Sequence, residues 1–137
     1  MSTPLSVLLD AQLHKLQALD RLLATEHDCL LHAAAERLDA LAAEKTALFA
    51  ELDAIERQRQ AAFAQDALAA QAPLWPQVRQ LARQVATANQ RNGAMIQALL
   101  RHVEGGLHIL RGTSEADTLY GAQGQRTAAA PRRLVRA

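Results

Sequence analysis

The chain has few of the residues that form disulfides, sheets and tight turns. It contains a single cysteine, Cys29, so a disulfide framework is excluded. Aromatic residues make up 3% of the chain although 50% of its residues are apolar, and the excess is leucine and alanine. Because straight-chain residues and alanine lose little rotamer freedom in a helical turn, this composition favours helices over sheets. No apolar run approaches the length of a membrane span, so we expect no membrane insertion.

Motifs that carry chemistry are also missing from the sequence. It has no Gly-rich phosphate loop, no HExxH or GxSxG pattern and no paired catalytic carboxylates. His27, Cys29 and His32 lie close in sequence, but His27 and His32 do not share a helix face, and no second cysteine or carboxylate completes a metal site. We therefore expect no enzymatic activity, no cofactor and no bound metal.

Charge is distributed unevenly along the chain. Residues 1–72 contain 6 Lys and Arg against 11 Asp and Glu, whereas residues 73–137 contain 9 Arg against 3 Asp and Glu. The simpler interpretation is attraction between helices of the two halves, and the alternative is a basic surface for an acidic partner. The arginines lack interleaved aromatic residues, so we expect no nucleic-acid binding. The N-terminal residues lack the charged region and cleavage site of a signal peptide, and we expect a cytoplasmic protein.

Leucine recurs at three- and four-residue steps in the first half of the chain, and this spacing predicts two helices with one buried stripe each. The first stripe is interrupted at Gln12 and Glu26. The second is interrupted at Lys45, whose ammonium we expect to reach water from the edge of the helix. An unbroken rod of roughly 90 Å, at about 1.5 Å per residue, would need a partner along its whole length. We therefore place a turn at residues 32–35.

A third helix is predicted after Pro73 and Pro76. Asn89 and Asn92 occupy positions of its apolar stripe, so they either face water or are buried and paired, which would set the register of the helices. The predicted fold is all-α, an antiparallel, coiled-coil-like bundle of about three long helices followed by a flexible tail. The bundle covers residues 1–112, with helices at about 4–31, 36–64 and 76–111, and the basic tail covers residues 113–137.

The end of the third helix is apolar over a wider arc than a two-helix seam requires. Gly105 and Gly106 weaken the same segment. A wide apolar face on a marginal helix suits the binding of a partner helix, and ordinary bundle core is the plain alternative. The tail carries one isolated aromatic site. The candidate partner-binding residues are Ile96, Leu99, Leu100, Val103, Leu107 and Leu110, and the tail site consists of Leu119, Tyr120 and Gly121.

Three sequence motifs occur together in the C-terminal half. They are Asn89-x-x-Asn92-Gly93-x-x-Ile96-x-x-x-Leu100, Leu107-x-x-Leu110-x-Gly112 and Leu119-Tyr120-Gly121-x-x-Gly124. With these motifs the chain resembles the FlgN-type flagellar export chaperones, and the similarity extends over nearly the whole chain. The leucine-rich N-terminal half fits the same family in outline, although leucine heptads are generic.

The resemblance implies a small cytoplasmic helical chaperone without enzymatic activity. Its clients would be the hook-associated proteins of the hook–filament junction, whose C-terminal helices it would keep from assembling before secretion. The family's client-binding region maps onto residues 96–110, and docking to the flagellar export gate and its ATPase apparatus maps onto Leu119, Tyr120 and Gly121. The alternative function is a structural coiled-coil scaffold or adaptor that self-associates through the same face of the third helix.

Overall fold

Three long helices form the fold. The computed structural model describes residues 3–111, of which residues 107–111 are described by their helical backbone alone. Helix α1 spans Leu5–Leu31, α2 spans Leu38–Gln65 and α3 spans Trp75–Arg111, and residues 3–111 contain no strand. The prediction of an all-α bundle of three long helices is confirmed. The predicted flexible tail over residues 113–137 lies outside the described residues.

The connection between α1 and α2 is a tight turn at residues 32–34, within the segment predicted from the sequence. Ala33 has a φ of 55°, a left-handed conformation that is costly for a residue with a Cβ atom. The backbone N–H of Ala34 donates to the carbonyl oxygen of Cys29 at 2.9 Å, which is the bond that closes a Schellman-type helix end. Alanine thus adopts the conformation that glycine usually supplies, and no glycine marks this turn in the sequence.

Helix α1 lies at the centre of the bundle. It packs along both α2 and α3, whereas the backbones of α2 and α3 approach each other at few points. The leucine stripe of α1 is deeply buried, with Leu19 and Leu23 at 0% exposure. The main core consists of Leu9, Leu16, Leu19, Leu23, Leu52, Val78 and Val85.

Helix α3 extends well beyond the other helices. The side chain of Asn92 contacts Leu23 and Glu26, so this part of α3 lies level with the last turns of α1. Helix α1 ends 5 residues after Glu26, whereas α3 continues for 19 residues after Asn92. At about 1.5 Å per residue, α3 therefore outruns α1 by roughly 20 Å. A Cβ atom added at Gly105 or Gly106 would meet no atom within 4 Å, as expected where the described chain leaves α3 without a neighbour.

Candidate functional site

The projecting part of α3 exposes apolar side chains. Leu99 is 41% exposed and Val103 is 54% exposed, and Leu100 beside them is half-buried. Leu99 and Val103 are four residues apart, so they lie one above the other on one side of the helix. Because α1 ends near this level, no helix of the described bundle covers this stripe. The stripe can accept the apolar face of another helix.

Ile96 differs in position from the other predicted partner-binding residues. It is 3% exposed and lies inside the bundle, so its side chain is inaccessible to a partner in this conformation. The heptad spacing runs unbroken from the core into the projecting part of α3, and it therefore gave no sign of where α1 ends. Leu107 and Leu110 lie in the last turns of α3, where the backbone alone is described. The predicted tail site at Leu119, Tyr120 and Gly121 lies outside the described residues.

A buried polar layer joins the three helices just before α3 leaves the bundle. Lys45 Nζ donates to the two carboxylate oxygens of Glu26 at 3.0 and 3.1 Å, and to Asn89 Oδ1 at 3.2 Å. Asn92 Nδ2 donates to Glu26 Oε1 at 2.9 Å and to the carbonyl oxygen of Leu23 at 2.8 Å. Asn92, Glu26 and Lys45 are each at most 2% exposed. The layer connects one side chain of α1, one of α2 and two of α3, together with the backbone carbonyl of Leu23 in α1.

The position of Lys45 overturns the expectation that its ammonium reaches water. A charge without access to water must be paired and hydrogen-bonded, and Glu26 supplies that pairing. Glu26, which interrupts the leucine stripe of α1, is buried together with it. Of the two alternatives for the asparagines, burial and pairing hold for Asn92, whereas Asn89 is half-buried. A signal was present in the sequence, because each leucine stripe is interrupted by a group that complements the others: an acid, a base and an amide.

A second polar cluster lies at the opposite end of the bundle. The guanidinium of Arg59 lies 4.4 Å from the centre of the Trp75 ring and 4.7 Å from that of Phe63, and the two rings meet edge to face. Arg59 Nε donates to Glu56 at 2.9 Å, and Gln12 Nε2 donates to the same carboxylate at 3.0 Å. The hydrogen bond from Arg59 is the main reason that the pKa of Glu56 is lowered, against a smaller opposing effect of burial. This cluster ties the end of α2 to the start of α3 through cation–π and ring contacts.

Residues 3–111 contain neither a candidate metal site nor a helix that could span a membrane. Histidine, cysteine and carboxylate side chains form no group of three or more that could hold a metal ion in this part of the chain. Cys29 is a buried free thiol. None of the three helices, over the residues described, combines the length and the apolarity needed to cross a bilayer.

Comparison with known proteins places the chain in a family. The family model described as FlgN protein matches residues 1–128, a range that contains the bundle, the projecting part of α3 and the Leu119-Tyr120-Gly121 motif. Searches of curated proteins and of solved structures gave no match. Because the family model covers most of the chain, the chain belongs to the FlgN family of flagellar export chaperones.

Proposed function

We propose that this chaperone binds the C-terminal helices of hook-associated proteins, its clients, and keeps them from assembling at the hook–filament junction before export. The observation that carries the proposal is the projecting part of α3, which presents Leu99 and Val103 to solvent. A client helix would cover this stripe with its own apolar face. Each leucine that becomes fully buried would contribute roughly 1.5–3 kcal/mol before the cost of ordering both partners.

The proposal also explains why the end of α3 is both apolar and glycine-containing. Gly105 and Gly106 are weak helix formers and have no neighbours to stabilise them in the described chain. A client packed along this segment would supply the missing contacts. The same contacts would hide the client's apolar face from other copies of the client, which is what a chaperone for self-assembling proteins must do.

The C-terminal tail supplies the second step of the proposed function. We assign Leu119, Tyr120 and Gly121 to docking on the export gate and its ATPase apparatus, where the loaded chaperone delivers its client. Tyr120 is an isolated aromatic side chain in a segment rich in small and polar residues. Ordering such a segment on contact reduces the net affinity, so docking would be weak and reversible. In this proposal the protein acts in the cytoplasm, has no catalytic activity and needs no cofactor.

A charged substitution on the projecting stripe tests the client site. Val103→Glu would bring a carboxylate into the apolar contact, so calorimetry with a C-terminal segment of a hook-associated protein should show loss of binding. Circular dichroism should show unchanged helicity, because Val103 is more than half exposed. Ala98→Glu is the control, since Ala98 is exposed on α3 and lies outside the predicted stripe. Unchanged affinity in Val103→Glu would place the client site elsewhere.

Substitution in the tail separates client binding from delivery. Tyr120→Ala should leave the affinity for the client segment unchanged and weaken the capture of the chaperone by the cytoplasmic part of the export gate. Loss of both interactions would mean that the tail belongs to the client site.

The alternative function is a scaffold that self-associates through the same stripe. Leu99 and Val103 are exposed, so a second copy of the chain could cover them in place of a client. Sedimentation at several protein concentrations separates the two functions. A monomer that forms a 1:1 complex with the client segment supports the chaperone, whereas a dimer that Val103→Glu dissociates supports the scaffold.

A further inference from the structure

An elongated groove runs between α2 and α3, with α1 as its floor. Its volume is about 790 Å³. The groove exists because α2 and α3 both pack on α1 and approach each other at few points. Its α3 wall contains three small residues, Ala82, Ala86 and Gly93, where the backbone of another helix could approach closely. The apolar lining residues are Leu16 and Leu19 on the floor, Phe49 and Leu52 on α2, and Ala82, Val85, Ala86 and Gly93 on α3.

One buried polar atom that belongs to the groove lacks a partner. Gln12 lines the groove and is 7% exposed. Its Nε2 atom donates to Glu56, but its Oε1 atom is buried without a hydrogen bond from the described chain. A buried hydrogen-bond acceptor without a donor costs free energy. An N–H group of a bound partner would therefore stabilise the complex by donating to this oxygen. Asp53 and Glu56 on the same wall are paired with Arg57 and Arg59 of α2, so this part of the groove has no excess negative charge and a neutral donor suffices for the Gln12 oxygen.

The groove is continuous with the projecting part of α3. Gly93 lines the groove, and Leu100 follows seven residues later, about two helical turns further along the same face. On the adjacent face, Asn92 and Ile96 are covered by the bundle, so a helix lying there would meet the end of α1. Leu99 and Val103 continue the Ile96 face, so a helix centred on Leu100, with Leu99 and Val103 at the edge of its contact, can continue toward the bundle on the groove side.

We propose that the client helix occupies both surfaces and completes a four-helix bundle by filling the groove. This inference rests on the proposed function, because it takes the client of the projecting stripe and extends its site. Residues 82–111 of α3 span about 44 Å, so the client segment would be an amphipathic helix of about 30 residues. Its half nearer the bundle carries an apolar seam with one polar side chain, whose N–H or O–H group donates to Gln12 Oε1.

The test is calorimetry of full-length variants with the C-terminal segment of a hook-associated protein. Ala86→Glu places a carboxylate at the exposed rim of the groove, and it should weaken binding by about tenfold because the charge would be buried unpaired under the client. Ala94→Glu is the matched control, because Ala94 is exposed on α3 and does not line the groove. Gln12→Met removes the unpaired acceptor and should weaken binding by about fivefold. If circular dichroism shows that Gln12→Met has lost helicity, the calorimetric result for Ala86→Glu alone decides whether the client fills the groove.

The outcomes separate this inference from the function on which it rests. If Val103→Glu abolishes binding while Ala86→Glu matches the Ala94→Glu control, the client stops at the end of α1 and the groove proposal is overturned alone. If neither Val103→Glu nor Ala86→Glu changes the affinity, the proposed client site itself fails. A gain in affinity with Ala86→Glu would show that another segment of this chain competes for the groove, and a dimer that Ala86→Glu dissociates would identify a second copy as the occupant. Both of these results overturn the proposal.

Discussion

The side-chain amide of Asn92 donates a hydrogen bond of 2.9 Å to the buried carboxylate of Glu26. The same carboxylate receives both bonds from Lys45, so its charge is paired by one cation and its oxygens are satisfied across three helices. A shift of α3 along α1 would leave these groups buried and unpaired, which is strongly unfavourable. The layer therefore fixes the register of α3, and with it the length of α3 that projects beyond the bundle.

Substitution of Asn92 should lower stability because it leaves Glu26 with one fewer donor. Asn92→Ala should reduce the free energy of unfolding by about 1–3 kcal/mol, the usual cost of removing one partner of a buried polar group. Asn92→Asp should reduce it further, because a second carboxylate would face Glu26. Asn89→Ala is the control, since Asn89 is half-buried and accepts a single bond from Lys45. Urea denaturation followed by circular dichroism measures all three, and an equal loss at both asparagines would contradict the register role of Asn92.

Removal of the buried cation should be one of the most destabilising single changes. Lys45→Met leaves the Glu26 carboxylate uncompensated, and it should cost about 3–5 kcal/mol of unfolding free energy. Lys15→Met breaks the exposed ion pair with Glu51 and should cost about 1 kcal/mol or less. Chemical denaturation of both variants at neutral pH provides the comparison. Similar losses in the two variants would show that the buried pair contributes no more than a surface pair.

Stability should depend on pH through Glu56. Its pKa is lowered in the folded protein, chiefly by the hydrogen bond from Arg59, so the folded state favours the ionised carboxylate. The stabilisation is therefore present at neutral pH and is lost as the pH falls below about 4.5, toward the lowered pKa. Urea midpoints of the wild-type protein and Glu56→Gln should differ at pH 7 and converge as the pH falls below 4. A difference that widens on acidification would contradict this assignment.

Truncation of Ile96 should lower the stability of the fold, whereas truncation of Val103 should weaken client binding and leave stability nearly unchanged. Ile96→Ala removes a side chain that is 3% exposed, and it should cost about 2–5 kcal/mol of stability. Val103→Ala removes one that is 54% exposed and should change stability by less than about 0.5 kcal/mol. Thermal denaturation measures this difference. Calorimetry with the client segment should show that Val103→Ala weakens binding although it leaves the fold intact, and equal stability losses would mean that the projecting stripe is packed.

The turn between α1 and α2 offers a stabilising substitution. Ala33→Gly should raise the unfolding free energy by about 0.5–1 kcal/mol, because glycine adopts the left-handed conformation without a Cβ clash. Ala35→Gly, in the short 3-10 helix Ala35–Arg37 that follows the turn, is the control and should lower stability by about the same amount, since it only adds freedom to the unfolded chain. Denaturation of both variants by guanidinium chloride checks the signs. A loss of stability in Ala33→Gly would mean that the left-handed conformation is not under strain.

Local sequence patterns accounted for the helices and for the wide apolar face at the end of the third helix. The leucine spacing predicts α1 and α2, and Pro73 and Pro76 mark the approach to α3, because these signals act over a few residues. The same patterns gave the wrong prediction for the Lys45 ammonium. A break in one leucine stripe shows which face of its own helix the lysine lies on, but not which side chains the other helices bring to it. Its true surroundings come from Glu26, which lies 19 residues earlier in the chain, and from Asn89, which lies 44 residues later.

The amino-acid sequence by itself determined that the chain forms three long helices, that the third carries a wide apolar face and that the chain resembles the FlgN family. These conclusions rest on helical periodicity and on short motifs, which are properties of neighbouring residues. Only the tertiary structure decided which part of that face is core and which part is free. Ile96 is buried and Val103 is exposed because α1 ends between their levels. That level is set by the contact of Asn92 with Glu26, 66 residues apart in the chain, and no local pattern could have supplied it.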